Sequence, residues 1–523
     1  MSSLLQTGCL LRNIINVPAL SGNPNSGQNV GQVRALLEAF LATCREPAAL
    51  EPGEDHFPLR PGGFTLEARA GRLILEVWDE TRNLARRILR LKESRPGRLE
   101  LVVERFGRRE GQMFLLDLAR GRPDEMRRRG ARLVFREQFR RFLSRQFPGW
   151  RIAELSAEAN LQESLSPVYP RALLKKGAAG WAALGCPPEA GAAQGALTFA
   201  LVWLDHLRQR HPRLAIEGPV LYLPHGHQRA TCLRLPFLDA GAIQPAVFVY
   251  SEQGHTERLD PADWGNLETR LEPCRLAHPG RPAWLEAWRE RLVRLPEVES
   301  VRRSEGGASL RVRGLEFARV TPTALLFGLE RKAAATEANL PEIERLAGEL
   351  ARLRHPNAPD RDNPLYRLQP EAWLESQVRA HLERLDPDLL PEPIYGQVPA
   401  MAGGERGIID LVAAGRGGRL AVLELKASED IHFPLQTLDY WLRVRWHLDR
   451  GEFTACGYFP GLALRPDPPR LLLVAPALDF HPKTEVILRY FAPQIAVERI
   501  GLGAGWRADL EVMFRLRGAE RPA

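Results

Sequence analysis

Lysine is nearly missing from this 523-residue chain: Lys92, Lys175, Lys176, Lys332, Lys426 and Lys483 stand among 72 basic residues, and the other 66 are arginine. In such a background a lysine marks a place where a compact ammonium is wanted rather than a planar guanidinium fork. Cysteine is equally sparse. Cys9, Cys44, Cys186, Cys232, Cys274 and Cys456 form no C-x-x-C pair. That removes any sequence case for a zinc or iron–sulfur site, and irregular spacing in a large chain reads as buried thiols in a reducing compartment rather than a disulfide framework. Long apolar runs are absent too: the richest, Ala192–Leu204, contains Gln194 and is too short to cross a bilayer. Met1–Leu20 has neither the basic start nor the apolar stretch of a secretory signal. No period of about 20 to 50 residues repeats, although Ala283-Trp-Leu-Glu286 and Ala372-Trp-Leu-Glu375 are locally alike. Together these absences predict a cytoplasmic protein that does not enter a membrane.

The chemistry that is present gathers late in the chain. Gly407-Ile-Ile-Asp410-Leu-Val-Ala-Ala and Arg419-Leu-Ala-Val-Leu-Glu424-Leu-Lys426 flank the turn residues Gly415-Arg-Gly-Gly418, which reads as a β-hairpin. A hairpin symmetric about Gly417 sets Asp410 opposite Glu424. Its period of two puts Ile408, Val412, Leu420, Val422 and Lys426 on their face, and Ile409, Leu411, Leu423 and Leu425 on the other. Both faces are largely apolar, as in a strand pair covered twice, and like charges opposed across such a pair destabilise it unless a cation lies between them. An all-oxygen pair favours magnesium or manganese, with Lys426 near enough to steady a water or a phosphate oxygen. The competing reading is a surface hairpin with solvated acids and a cross-strand Lys426 ion pair.

Two flanking helices extend the pattern. Ile431–His447 opens with Pro434 near its first turn, carries Leu435, Leu438 and Leu442 as an apolar stripe, and projects Gln436, Tyr440, Arg443 and His447 from one side. That side suits a backbone phosphate, or simply solvent. Upstream, Pro370–Leu385 has Leu374, Val378, Leu382 and Leu385 on one side with Glu375 beside them. Glu375 could reach the same metal or pair with Arg379 one turn on.

In this order, the Glu375 helix, the strand Ile394–Val398, the Asp410/Glu424 hairpin and the Gln436 helix resemble the PD-(D/E)XK nuclease superfamily. Gln436-x-x-x-Tyr440 is similar to the Q-x-x-x-Y motif of RecB-type and CRISPR-adaptation exonucleases, and Gly407-x-x-Asp410 with Glu424-x-Lys426 resembles the archaeal and actinobacterial mismatch endonucleases. The likeness spans roughly residues 366–523 and departs from the family name at Ile409, where a Pro would precede the Asp. Iron–sulfur relatives need four cysteines around the core, and only Cys456 follows the motif here. The resemblance implies a C-terminal αβββα restriction-endonuclease-like core with a mixed sheet. It implies Mg2+ (or Mn2+) on Asp410, Glu424 and the main-chain carbonyl of Leu425, with Glu375 assisting, Lys426 positioning the attacking water, and Gln436 and Tyr440 holding substrate. The activity implied is that of a magnesium-dependent deoxyribonuclease, an endonuclease of DNA repair or defence, with DNA as partner and a homodimer left open. A non-catalytic nucleic-acid scaffold keeping the fold, or a nuclease acting on RNA, are the alternatives.

The rest of an α/β multidomain chain is organised as α+β and α/β domains preceding that core. Boundaries are expected at 1–150, 151–280, 281–365 and 366–523, the last preceded by the proline-rich linker His355–Pro364. Ser21–Gln32 reads as a polar linker and Val33–Cys44 as a helix. Strands are expected at Phe64–Ala68, Arg72–Trp78, Arg98–Phe106 and Gln112–Leu118, with a basic helix Glu80–Leu91 between the hairpins. Arg82–Arg145 holds 20 basic and 8 acidic residues, which suits phosphate binding or a solvated arginine-rich surface. Further on, the pattern gives helices at Arg127–Phe147 and Ala193–Arg208 and strands at Pro219–Leu223, Ala230–Pro236 and Ala246–Tyr250. His225 and His227 fall in an expected hairpin turn without a third ligand. Trp284 and Trp288 mark one more helix, Gly306-Gly307 a hairpin, and Pro341–Arg354 an amphipathic helix.

Overall fold

The computed structural model describes residues 30–44, 47–51, 57–59, 64–69, 72–78, 83–95, 97–105, 109–117, 123–189, 191–251, 254–263, 269–274, 282–303, 307–402 and 405–521, and their side chains except those of 58, 69, 78, 83, 95, 105, 109, 123–131, 397–402 and 405–410. Ser21–Asn29 of the polar linker, Cys9 and Gly306 of the hairpin turn lie outside the described residues. The chain is α/β, with several sheets, and divides into two compact units, Met1–Phe135 and Arg136–Ala523.

In the first unit, helix α1 (Val30–Thr43) covers one face of an antiparallel sheet. Its strands are β1 (Pro47–Leu50), β2 (Phe57–Pro58), β3 (Phe64–Arg69), β4 (Arg72–Trp78), β5 (Asn83–Arg95), β6 (Arg98–Arg105) and β7 (Arg109–Asp117), ordered β2-β1-β7-β6-β5-β4-β3. Val33 and Leu37 pack with Leu73, Leu75, Leu101 and Met113. Of the expected helix Glu80–Leu91, residues 83–91 belong instead to the strand β5, and 80–82 lie outside the described residues. Leu84, Ile88 and Leu91 have helical spacing, but bulges after Ile88 and after Leu91 shift the strand's parity, so Ile88 pairs with Val103 and Leu91 with Leu101 on one buried face. Many basic residues here are answered by neighbouring acids: Arg87 by Glu104 at 2.9 Å, Lys92 and Arg98 by Glu100 at 2.6 and 3.1 Å. Helix α2 (Pro123–Gln146) carries the division between the units.

The described residues of the second unit form three sheets. The first is mixed and runs in sequence order through β8 (Arg151–Ser156), β9 (Arg171–Lys176), β10 (Ala179–Gly185), then helix α3 (Ala192–Arg210), β11 (Ala215–Pro224), α4 (Arg229–Arg234), β12 (Ala246–Tyr250) and β13 (Thr256–Leu259). Ala230–Pro236, expected as a strand, is α4 continued by a 3-10 turn, because Cys232, Leu235 and Leu238 at spacings of three all enter the core. His225 and His227 lie in the connection from β11 into α4 rather than in a hairpin, since β11 and β12 run parallel. After β14 (Thr269–Leu271) come α5 (Ala283–Val293), the antiparallel sheet β15 (Val298–Arg302), β16 (Ala308–Val312), β17 (Leu315–Val320), β18 (Leu325–Phe327) and β19 (Ala333–Ala334), and α6 (Leu340–Leu353), whose Ile343 and Leu350 pack on it.

The last sheet is also mixed. Helices α7 (Pro364–Arg367), α8 (Pro370–Ala380) and α9 (Leu382–Leu385) precede β20 (Tyr395–Ala402), β21 (Glu405–Ala414) and β22 (Leu420–Leu425). Helices α10 (Phe433–Asp449) and α11 (Glu452–Ala455) lead to β23 (Arg470–Pro476), α12 (Thr484–Leu488), β24 (Val497–Leu502) and β25 (Val512–Arg517), with β14 paired on the outer side of β20. The β20–β21–β22 meander is antiparallel and β23 runs parallel to β22. Alternation sorts this sheet's residues as the sequence pattern requires. Val412, Leu420 and Val422 join the core that contains α10, whereas Leu411, Leu423 and Leu425 join the one that contains Leu374 and Val378 of α8. Proline in the first turn opens both helices, where no amide hydrogen is needed.

Candidate functional site

The turn between β21 and β22 is tight because Gly418 takes φ 81° and stands where a Cβ would collide with the Ala463 carbonyl. From it the ladder runs Ala414↔Leu420, Ala413↔Ala421, Val412↔Val422 and Leu411↔Leu423. The next step of the same register is Asp410 across from Glu424. Asp410 is placed here by its backbone in β21, since its side chain lies outside the described residues. Glu424 is 3% exposed and has the parity of Val422, toward α10. Leu425 ends β22 with its side chain in the opposite core.

Lys426 follows directly. Its amide donates to the Val474 carbonyl at 3.0 Å, continuing the parallel ladder with β23 by one bond. Its Nζ lies 3.7 Å from Asp430 Oδ2 and 3.8 Å from Glu371 Oε1. At those separations charge, rather than a direct hydrogen bond, holds the ammonium, and its donors can turn to water or to an anionic oxygen. Glu371 sits in the first turn of α8, one turn before Glu375 on the same helix. It and Asp430 are site residues that the sequence reading missed. The signal for Glu371 was its i, i+4 relation to Glu375, for Asp430 its i+4 relation to Lys426.

Glu375 is placed elsewhere. Buried to 6% exposure, it accepts from Arg379 Nε at 2.8 Å and faces Arg311 Nη1 at 3.4 Å. It flanks Gly396, where a Cβ would run into the Arg379 guanidinium and come 2.9 Å from Glu375 Oε1. Gly396 pairs with Leu411, so this cluster lies on the α8 side of the sheet, across it from Glu424. Neighbouring Glu299, which accepts from Ser376, has its carboxyl pushed up by burial, against the pull of the serine bond and of Arg311.

On α10, Gln436 and Tyr440 are half-buried, and the Arg443 guanidinium lies 5.7 Å from the centre of the Tyr440 ring. His447, expected on the same polar side, is 1% exposed and engaged with Thr269 Oγ1 at 3.0 Å and with Glu452. It is a buried strut between β14 and α11. Eleven residues on, it still lies on the Gln436 side of α10, and it is buried because Thr269 of β14 and Glu452 of α11 close over that end of the helix.

The groups set at this end of β22 are oxygen-bearing: the Glu424 carboxylate, the main-chain carbonyl of Leu425 and, on the far side of the Lys426 ammonium, Glu371. That chemistry suits a hard divalent ion such as Mg2+ or Mn2+. Among the described residues no three His, Cys, Asp or Glu side chains converge as a metal site, and Asp410's is not among them. The five cysteines within the described residues are free thiols, with Cys186 and Cys232 buried. No described helix is long and apolar enough to cross a membrane. The chain finds no match among family models, curated proteins or solved structures.

The N-terminus of α10 is held by His432, whose Nδ1 lies 3.0 Å from Thr198 Oγ1 on α3 while its ring meets Phe199 edge-on. Burial lowers its pKa, Asp430 opposes that, and Arg234 and His481 add to it. His447 and His481 are lowered as well, each chiefly by burial. Such a group is neutral when folded and binds a proton more readily unfolded, so stability is undiminished above about pH 6.5 and falls as pH drops below it. Each group contributes at most about 1.4 kcal/mol per pH unit. Denaturant midpoints should therefore decline between pH 7.5 and 5.5, and His432→Asn should flatten the decline. Equal midpoints at both pH values, or an unchanged slope in the variant, would contradict this.

Proposed function

We propose that the chain is a metal-dependent nuclease that hydrolyses phosphodiester bonds of DNA, and that its centre is built on Asp410, Glu424 and Lys426. What supports the reading best is the register of β21 and β22. It sets a buried glutamate one step past the last ladder pair from an aspartate, with one of the chain's few lysines two residues on at the strand's end. Like charges so placed are costly without a cation, and a carboxylate pair is a strong attractor for one. The element order α8, β20, β21, β22, α10, in a mixed sheet, follows the αβββα order that the PD-(D/E)XK resemblance implies.

In this reading Asp410, Glu424 and the Leu425 carbonyl hold Mg2+ or Mn2+, which supplies positive charge beside the scissile phosphate. Lys426, kept in place by Glu371 and Asp430, donates to the attacking water or to a non-bridging phosphate oxygen as charge builds there. Gln436, Tyr440 and Arg443, on the α10 face, hold the substrate backbone. Glu375 acts at a distance, fixing Arg379 against β20.

The test is an assay of purified protein with Mg2+ or Mn2+ on labelled single-stranded, duplex, mismatched, flap and four-way DNA, and on RNA. Cutting should appear on a DNA, vanish with chelator, and fall at least about a hundredfold in Lys426→Ala. No product on any DNA or RNA, or undiminished cutting by both Asp410→Ala and Lys426→Ala, defeats the proposal. Cutting confined to RNA would keep the chemistry and change the substrate.

A further inference from the structure

The second unit contains one architecture twice. Helix α2, then β8, β9 and β10 as an antiparallel meander, α3, β11 parallel to β10, α4, β12 parallel to β11 and β13 antiparallel recur in the same order as α8, β20, β21, β22, α10, β23, α12, β24 and β25, the second series adding the short helices α9 and α11. The second series has the same sense at every pairing. The layers correspond as well. Phe142 of α2 stacks on Tyr222 on one face of the first sheet, as Leu374 and Val378 of α8 pack on one face of the other, while α3 and α10 share one core on the inner faces.

The two copies meet much as the halves of a twofold dimer do, with equivalent helices packed across the join in exchanged roles. Helix α4 of the first packs on α10 of the second, and α12 of the second on α3 of the first. Arg234, at the end of α4, forks onto Asp439 of α10 at 2.8 and 2.7 Å, and Arg489, at the end of α12, pairs with Asp205 of α3 at 3.0 Å. Between them the segments after α4 and α12 form an antiparallel bridge, Leu238↔Phe491, closed by the Asp239 amide donating to the Tyr490 carbonyl at 2.8 Å and the Ala492 amide to the Phe237 carbonyl at 3.0 Å.

Register then gives the counterparts of the candidate centre. Lys426 donates to the residue paired with Leu425, Val474; Cys186 donates to the residue paired with Gly185, Tyr222. Cys186 thus stands where Lys426 does and Leu184 where Glu424 does. Leu184 pairs with Arg171, which takes the place of Asp410. None of the three can serve. Arg171 is buried over the Trp203 ring and donates to the Glu158 carbonyl at 2.7 Å, Leu184 has no donor atom, and burial pushes the Cys186 thiol up to about 12.

We infer that the module from α2 to β13 is a catalytically silent twin that occupies the place of a second subunit, so that the chain works as a monomer with one centre and cuts one strand per binding event. The monomer part stands on the packing alone; the single cut rests on the nuclease reading. The face that a second copy would use, α4 and α3 against α10 and α12, is already filled from within.

Two measurements on the full chain decide this. Sedimentation velocity at assay concentrations should give one 58.7 kDa chain, and a dimer would overturn the inference whether or not the protein cuts. On the cleavable DNA labelled in both strands, nicked product should precede double-strand breaks, the rate should double when protein is doubled, and Cys186→Ala should cut like the wild type. Simultaneous breaks in both strands, a fourfold rise on doubling, or loss of cutting in Cys186→Ala would overturn it. If the wild type cuts nothing, the nuclease reading falls, and the mass alone decides whether the twin replaces a subunit.

Discussion

Glu424→Gln will lose metal-dependent cutting by at least about a hundredfold while the protein keeps its fold. The substitution is nearly isosteric, so the space at this 3% exposed position stays filled and the neighbouring ladder through Val422 and Leu423 is undisturbed. What disappears is a buried negative charge at the end of β22, one step past the last ladder pair of the hairpin. A neutral amide oxygen is a much weaker ligand for Mg2+ or Mn2+ than a carboxylate. A second readout separates binding from chemistry. Metal at about a hundred times its dissociation constant should stabilise the wild type by about 2.7 kcal/mol, and Glu424→Gln should gain little from the same concentration. A variant that still cuts at the wild-type rate, or a wild type whose melting is indifferent to metal, would remove Glu424 from the centre.

The hairpin carrying this residue was legible because its information is local. Gly415 to Gly418 set the turn, the turn set the register, and the register set which residues share a face. Glu375 was different: its spacing fitted a metal role and an Arg379 pair equally, and the choice was made by Arg311, 64 residues upstream, and by the bare backbone of Gly396. Glu371 was overlooked for the complementary reason, since a half-exposed acid in a first helical turn looks like an ordinary dipole partner. Strand β5 was hidden by its bulges, which imitate helical spacing.

The duplicated module was invisible for a deeper reason. What repeats is the sequence of strand directions and the two inner helices, and a buried sheet accepts many apolar residues at each position. Arg234–Asp439 and Arg489–Asp205 preserve the residue types at the join, yet these pairs span 205 and 284 positions and only the fold brings their members together. The residues whose identity would have advertised a repeat, the acids and the lysine, are those that differ between the copies.

Arg354→Ala will be among the most destabilising single substitutions in the second unit, costing about 3–5 kcal/mol. Arg354 is fully buried at the end of α6, where Nη1 donates to the Leu365 and Leu368 carbonyls at 2.6 and 2.7 Å and Nη2 to the Arg313 carbonyl at 3.0 Å. One planar group thus ties the β16–β17 turn to the chain entering α8, with its guanidinium 4.7 Å from the centre of the Trp373 ring. Burial, then Arg507 and Arg313, lower its pKa to about 10, so it remains charged at neutral pH and its desolvation must be offset by those carbonyls and the ring. Alanine leaves the carbonyls without their donor and opens a cavity under Trp373. Arg354→Met should lose less, because it refills the space and removes the buried charge together with its cost. Arg354→Lys should fall between, since a single ammonium cannot span three carbonyls on two sides of a fork. Denaturant unfolding of the three variants therefore has an expected order, methionine the mildest and alanine the most severe. A methionine variant as unstable as alanine would mean that the hydrogen bonds, rather than packing against Trp373, hold this corner together.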